Sequence, residues 1–171
     1  MEKIKLLSVL VLLAVSASLF SQKQYQVKSP DGKLDVIVTV SSNITYTLKH
    51  ENDVLIASSP ISMTLDNGKS FGINSKVIKK RSHSIDTSVD AHFYKRSEIR
   101  DCFNELVLDF KENFSLIFRA YDEGMAYRFV SSGSKDFAVK GEEAVFNFND
   151  DNNAYIAFVR GSSEVLEKQF F

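Results

Sequence analysis

Leu34-Asp35-Val36-Ile37-Val38-Thr39-Val40-Ser41-Ser42-Asn43-Ile44-Thr45-Tyr46-Thr47-Leu48-Lys49 decides the fold class. Leu34, Val36, Val38 and Val40 alternate with Asp35, Ile37 and Thr39. After Ser42-Asn43, Ile44, Tyr46 and Leu48 alternate with Thr45, Thr47 and Lys49. A period of two sends successive side chains to opposite faces, the mark of a half-buried β-strand. The same period returns at Ile61-Met63-Leu65, Leu106-Leu108-Phe110, Phe114-Leu116-Phe118, Tyr127-Phe129, and Val145 with Phe146 and Phe148. Turn chemistry separates the runs: Pro30-Asp31-Gly32, Glu51-Asn52-Asp53, Asp66-Asn67-Gly68, Glu112-Asn113, Asp122-Glu123-Gly124 and Asn149 to Asn153. Short strands at this spacing predict an all-β, antiparallel sandwich or barrel. The only helical candidate is Ser162-Ser163-Glu164-Val165-Leu166-Glu167-Lys168.

The N-terminus reads as a leader. Lys3 and Lys5 precede an apolar run from Leu6 to Leu19, followed by small residues and polar Ser21-Gln22-Lys23-Gln24. This is the order of a secretory signal peptide, placed at residues 1–21. Its apolar centre, about 14 residues, is short of the ~20 that span a bilayer, so no stable membrane insertion is expected. No cysteine stands near the exit for a lipid anchor. The expected location is secreted, in the periplasm. Residues 22–171 then form one domain-sized unit. Losing Glu2, Lys3 and Lys5 moves the formal charge from -1 to -2. This balance speaks against a nucleic-acid partner, which requires a basic face. Cys102 is the single cysteine, so no intrachain disulfide can form and the apolar core must supply stability. Its place in an alternating stretch predicts a small core residue.

Familiar catalytic signatures are missing. His50, His83 and His92 are far apart in sequence and share no zinc-ligand spacing. The loop Asn149 to Asn153 is rich in oxygen ligands but lacks the central glycine and terminal glutamate of a helix–loop–helix calcium loop. No nucleophile elbow, phosphate-cradling loop or dinucleotide fingerprint occurs. Lys76, Lys79, Lys80 and Arg81 form a basic cluster in the least patterned region. It reads as a solvated loop or an edge strand, where lysine blocks unwanted pairing.

One stretch breaks the ordinary alternation: Phe93-Tyr94-Lys95-Arg96-Ser97-Glu98-Ile99-Arg100-Asp101-Cys102-Phe103-Asn104-Glu105-Leu106. Charged side chains interleave with Phe93, Ile99 and Phe103. The pattern predicts a partly buried charged seam, where this unit meets another. In an extended strand Glu98 shares a face with Arg96 and Arg100, and Asp101 takes the other. An arginine beside an acid lowers its pKa and makes it a poor general acid, so the seam reads as structural rather than catalytic. The chain ends on Gln169-Phe170-Phe171, two adjacent aromatics without a polar tail, and the expectation is of a chain cut short.

Several of these segments carry a family resemblance. Ser29-Pro30-Asp31-Gly32-Lys33-Leu34, Tyr46, Ser59-Pro60-Ile61 and Leu65-Asp66-Asn67-Gly68 resemble the opening of glycoside hydrolase family 97. Arg96-Ser97-Glu98-Ile99-Arg100-Asp101, then Phe103-Asn104-Glu105-Leu106, is similar to that family's Arg-Ser-x-x-Arg-Asp…Tyr-Asn-Glu-Leu segment, with Phe103 where tyrosine is common. Phe118-Arg119-Ala120-Tyr121-Asp122-Glu123-Gly124-Met125-Ala126-Tyr127-Arg128 is similar to its Phe-Arg-Ala-Tyr-Asn-Asp-Gly-Val-Ala-Phe-Arg segment. The resemblance implies an antiparallel β-super-sandwich of galactose-mutarotase type, ahead of a (β/α)8 barrel. It also implies an exported, calcium-using α-glucosidase or α-galactosidase whose catalytic carboxylates lie on the barrel, so that no catalytic residue falls in this chain. The family's sandwich lends a metal-binding glutamate near its end. Glu164 and Glu167 lie near that region without an alignable motif, and no calcium ligand is assignable here.

The expected function is therefore that of a non-catalytic N-terminal β-sandwich of an exported α-glycosidase acting in oligosaccharide breakdown. Its expected partner is the catalytic barrel of the same polypeptide, with the oligosaccharide substrate met indirectly. Arg96, Glu98, Arg100, Asp101, Asn104 and Glu105 would form the domain interface, with Arg119, Tyr121 and Arg128 on neighbouring strands. The alternative is a free-standing periplasmic carbohydrate-binding or adaptor module.

Overall fold

The computed structural model of the protein describes residues 22–92, 95–133, 136–151 and 153. The expected leader, Phe93, Tyr94 and the expected helix at 162–168 lie outside the described residues. The rest is all β, and every strand pairing among the described residues is antiparallel. The first sheet contains β1 (Lys23–Lys28), β2 (Leu34–Val40), β3 (Ile44–His50), β4 (Asp53–Leu65) and β10 (Val139–Ala144), in that order. Two short strands, β5 (Ser70–Phe71) and β11 (Asn147–Phe148), also pair with β4. The second sheet runs β6 (Val77–Asp90), β7 (Glu98–Phe110), β8 (Phe114–Tyr121) and β9 (Gly124–Ser131).

Alternation sets the register. Val36 lies opposite Leu48 and Val38 opposite Tyr46, so both strands deliver apolar side chains to one face. In the second sheet Leu106 lies opposite Phe118, and Leu108 opposite Leu116. These inward rows make a single core with Ile44, Ile61, Leu65, Phe71 and Phe114. Aromatic contacts tie the sheets together. Tyr46 of β3 meets Phe118 and Tyr127, with ring centres 6.2 and 6.0 Å apart. Phe71 of β5 stacks on Phe114 at 4.5 Å, and Phe114 on Phe110 at 4.4 Å. Burying one such ring is worth roughly 1.5–3 kcal/mol, which a core without disulfides depends on. The Tyr46 hydroxyl donates to the Val145 carbonyl at 3.1 Å, and burial beside Tyr127 pushes its pKa up to about 12.

The sheets are staggered. β1 lies against β7 and β8, and β2 against β8. β3 and β5 reach β8 and β9 through Tyr46 and Phe71. One consequence is that β6 overhangs the first sheet: of its fourteen residues only Val77 is half-buried and the others are exposed. At the opposite side β4, β10 and β11 extend past β9, and Phe146 and Phe148 stay more than half exposed. The basic cluster of the sequence thus splits, with Lys79, Lys80 and Arg81 on an edge strand and Lys76 just ahead of it.

The turns join the two layers. Ser29 is buried; its hydroxyl donates to Asp31 at 2.6 Å and accepts the Leu34 amide at 2.9 Å. The Asp31 amide then donates to Asp122 across the sandwich at 2.9 Å, linking the β1–β2 turn to the β8–β9 turn. Gly72 follows β5 with φ +96°, and its carbonyl accepts the Ile44 amide at 3.0 Å. A Cβ there would stand 2.8 Å from the Ile61 carbonyl oxygen. Gly72→Ala combines this clash with a strained backbone and should cost at least about 2 kcal/mol, read as a lowered urea midpoint. An unchanged midpoint would show that the close approach of β5 to β4 is not needed.

Candidate functional site

β7 departs from the simple pattern. Leu106, Leu108 and Phe110 face the core, so Asp101, Phe103, Glu105, Val107 and Asp109 face the opposite side of the sheet. An antiparallel sheet with one wet face would carry polar groups there. Instead Phe103 and Val107 are buried on that outer face although neither belongs to the core cluster. Ile85 pairs with Phe103, and Val89 with Ile99, which extends the apolar row along the strand. Ile117 and Val130 continue it across β8 and β9.

Several charges on this face pair with one another. The Arg119 guanidinium lies 4.1 Å over the Phe103 ring, and its Nε donates to Glu105 Oε2 at 2.8 Å. That contact with Glu105 raises the Arg119 pKa further. His83 Nδ1 stands 3.5 Å from the other Glu105 oxygen. Tyr121 packs on Phe103 with ring centres 5.2 Å apart. Arg81 donates to Asp109 at 2.7 Å, and so does the Ser115 hydroxyl, also at 2.7 Å. Ser115, followed by Arg81, holds the Asp109 carboxyl below its usual range. Beside this network a hollow of about 140 Å³ is lined by Ile117, Arg119, Tyr121, Ala126, Tyr127 and Arg128.

The nine candidate residues do not form one surface. Glu105, Arg119, Tyr121 and Arg128 share the outer face, with Asp101 further along β7. Arg96 precedes β7, while Glu98, Arg100 and Asn104 point to its other face. Asn104 donates to the Lys28 carbonyl at 2.8 Å and so ties β7 to β1. The first half of the seam is exposed, from Arg96 through Arg100; half-burial begins only at Asp101. The burial expected of the seam is thus confined to its second half. β8 ends its pairing at Asn104, so β6 and β7 continue as a two-stranded arm with solvent around it.

The ion pairs also differ from those expected. Arg100 does not pair with Glu98. It grips Asp86 of β6 with Nε–Oδ1 at 2.7 Å and Nη2–Oδ2 at 2.8 Å, and this contact lowers the Asp86 pKa. Among the described residues, Arg96, Glu98, Asp101 and Arg128 form no ion pair. Cys102 is half-buried beside Arg100, Asp122 and Met125 in an open hollow, outside the core cluster where its alternation placed it. Sequence reading missed Asp86 and His83. Both lie on β6, and only the β6–β7 register brings them to Arg100 and Glu105.

The described residues show no cluster of carboxylates for a calcium ion. No three carboxylate, imidazole or thiol side chains converge among them. In the oxygen-rich loop, the Asn149 side-chain amide is turned to donate to the Val54 carbonyl at 3.1 Å.

A family model described as Glycosyl-hydrolase 97 N-terminal matches residues 27–170. The chain belongs to the glycosyl-hydrolase 97 N-terminal family. It is 38% identical over 168 residues to a retaining alpha-galactosidase of Bacteroides thetaiotaomicron, a match covering 98% of this chain and 25% of that relative. The chain thus spans about a quarter of the relative's length. Among solved structures, a beta-arabinopyranosidase matches with TM-score 0.64 at 27% identity, over 74% of this chain and 21% of that one. A Glycoside Hydrolase Family 97 enzyme from Pseudoalteromonas sp. strain K8, in complex with panose, matches with TM-score 0.63 at 22% identity. That match covers 74% of this chain and 20% of the enzyme, and shows the same fold. The family-97 β-sandwich expected from the segments around Arg96 and Phe118 is the one found.

Two expected outcomes follow from the outer-face geometry. Arg119→Ala strips the cover from Phe103 and leaves Glu105 with His83 alone; exposed pairs and cation–π contacts of this kind are worth about 1 kcal/mol, so the melting temperature should drop by a few degrees. Asp109 has a lowered folded pKa, so its contribution is present above about pH 4 and is lost as pH falls through the folded value. Asp109→Asn should therefore lower the melting temperature at pH 7 and lower it less at pH 3. An equal loss at both pH values would rule out the charged contact with Arg81.

Proposed function

We propose that this chain is the leading, non-catalytic β-sandwich of an exported α-glycosidase acting in oligosaccharide breakdown. The outer face of the second sheet packs against the catalytic part of the same polypeptide. One observation carries this reading: that face bears Ile85, Val89, Ile99, Phe103, Val107, Ile117 and Val130 beside the paired charges Arg81–Asp109 and Arg119–Glu105, while Arg128 and Asp101 have no ion-pair partner among the described residues. The paired charges can be covered without stranding an ion, the costly event in burying charge, and Arg128 and Asp101 are left to meet partners on the covering surface. The relative named above is an alpha-galactosidase four times as long, which favours a galactoside over a glucoside. The leader at 1–21 supports export to the periplasm.

The test uses the full reading frame that carries this chain, assayed on aryl α-galactoside and aryl α-glucoside. The isolated chain is expected to turn over neither. Ile117→Asp in the full polypeptide should lower activity at least tenfold and lower the melting temperature, while leaving the circular dichroism of the isolated chain unchanged. Removing divalent cations should not shift the melting temperature of the isolated chain. Full activity and stability in the Ile117→Asp enzyme would overturn the packing face. Saturable oligosaccharide binding by the isolated chain would favour the free-standing module instead.

A further inference from the structure

β6 is the outermost strand of the second sheet; it pairs with β7, and among the described residues nothing pairs with its other edge. Natural sheets ordinarily shorten, bulge or cover such an edge, because its unpaired N–H and C=O groups invite another strand. β6 is fourteen residues long, and its one irregularity lies at its start, between Val77 and Lys79. From Lys80 to Asp90 it runs in unbroken register with β7.

Charge is divided along this strand. Lys79, Lys80 and Arg81 occupy its first half, Asp86 and Asp90 its second. An antiparallel copy of such a strand presents acid to base. We propose that β6 pairs with β6 of a second copy of this chain about a twofold axis at His83, joining the two four-stranded sheets into one of eight strands. In this register Lys80 stands opposite Asp86, Ser82 opposite Ser84, and Arg81 opposite Ile85, and symmetry repeats each pair. Opposed residues are then both odd or both even, so the outer faces of both copies remain on one side. Centring the axis on Ser82 or Ser84 instead sets Lys80 against Ser84 or Ser88 and opposes no unlike charges. Asp86 already holds Arg100, and a partner lysine adds a second cation to the same carboxylate. The contact is isologous, so it closes as a dimer rather than growing into a fibre.

This inference does not rest on the outer-face reading, and the experiment separates them. Sedimentation of the chain should show a monomer–dimer equilibrium. Lys80→Asp should weaken it about tenfold, since symmetry counts each change twice, while Lys69→Asp, on the first sheet's turn, should leave it unchanged. In a Cys102→Ser background, His83→Cys should give a disulfide-linked dimer on mild oxidation, because opposed Cα atoms at such an axis lie ~4.5–5.5 Å apart. A monomer at all concentrations, or a dimer indifferent to Lys80→Asp that does not cross-link at position 83, would overturn the proposal. So would stronger association on Lys80→Asp, which would make the lysines guards of the edge. A dimer that responds to Ile117→Asp alone would also overturn it, placing self-association on the outer face.

Discussion

The structure depends on one set of contacts: the aromatic layer between the sheets, with Tyr46 against Phe118 and Tyr127, and Phe71 against Phe114. There is no disulfide to hold the sheets together. Interlocking rings fix how far one sheet is displaced relative to the other. With β3 and β5 over β8 and β9, β6 is exposed after Val77, and Phe146 and Phe148 are exposed on the far side. The exposed strand, the exposed Phe146 and Phe148, and the projecting arm all follow from that offset.

The second sheet is then asked to serve two environments. Its inner rows, Leu106-Leu108-Phe110 and Phe114-Leu116-Phe118, pack in the core. Its outer rows bury Val107, and Phe103 beneath the Arg119 guanidinium. Placing Arg119 over Phe103 and against Glu105 satisfies a cation, an anion and a ring at once. A surface so arranged is stable in water yet loses little if water is removed from it. The Arg100–Asp86 pair has a different task. It holds together an arm that would otherwise be a bare two-stranded ribbon, a structure of marginal stability in water.

Much of this was legible in the chain. Period-two runs announced β2, β3, β8 and the core half of β7, because those strands each send every second side chain into the core. Turn residues at Pro30-Asp31-Gly32, Asp66-Asn67-Gly68 and Asp122-Glu123-Gly124 fell where the chain reverses. β6 was the weak point. Its residues are nearly all exposed, so its strand character comes from hydrogen bonding to β7 and leaves no hydrophobic period to read. The same gap hid Asp86 and His83, and it misassigned the partner of Arg100.

The amino-acid sequence by itself determined the all-β class, the position of most turns, the inward rows of the core and the family, because each is written in local alternation or in contiguous motifs. Tertiary structure alone decided which face each charged residue occupies, that Glu105 belongs to Arg119 and Arg100 to Asp86, and that eight of the nine candidate residues divide between two faces of one sheet. Those outcomes depend on strand register and on the stagger of two layers. Both are set by contacts between residues distant in sequence, which no local pattern encodes.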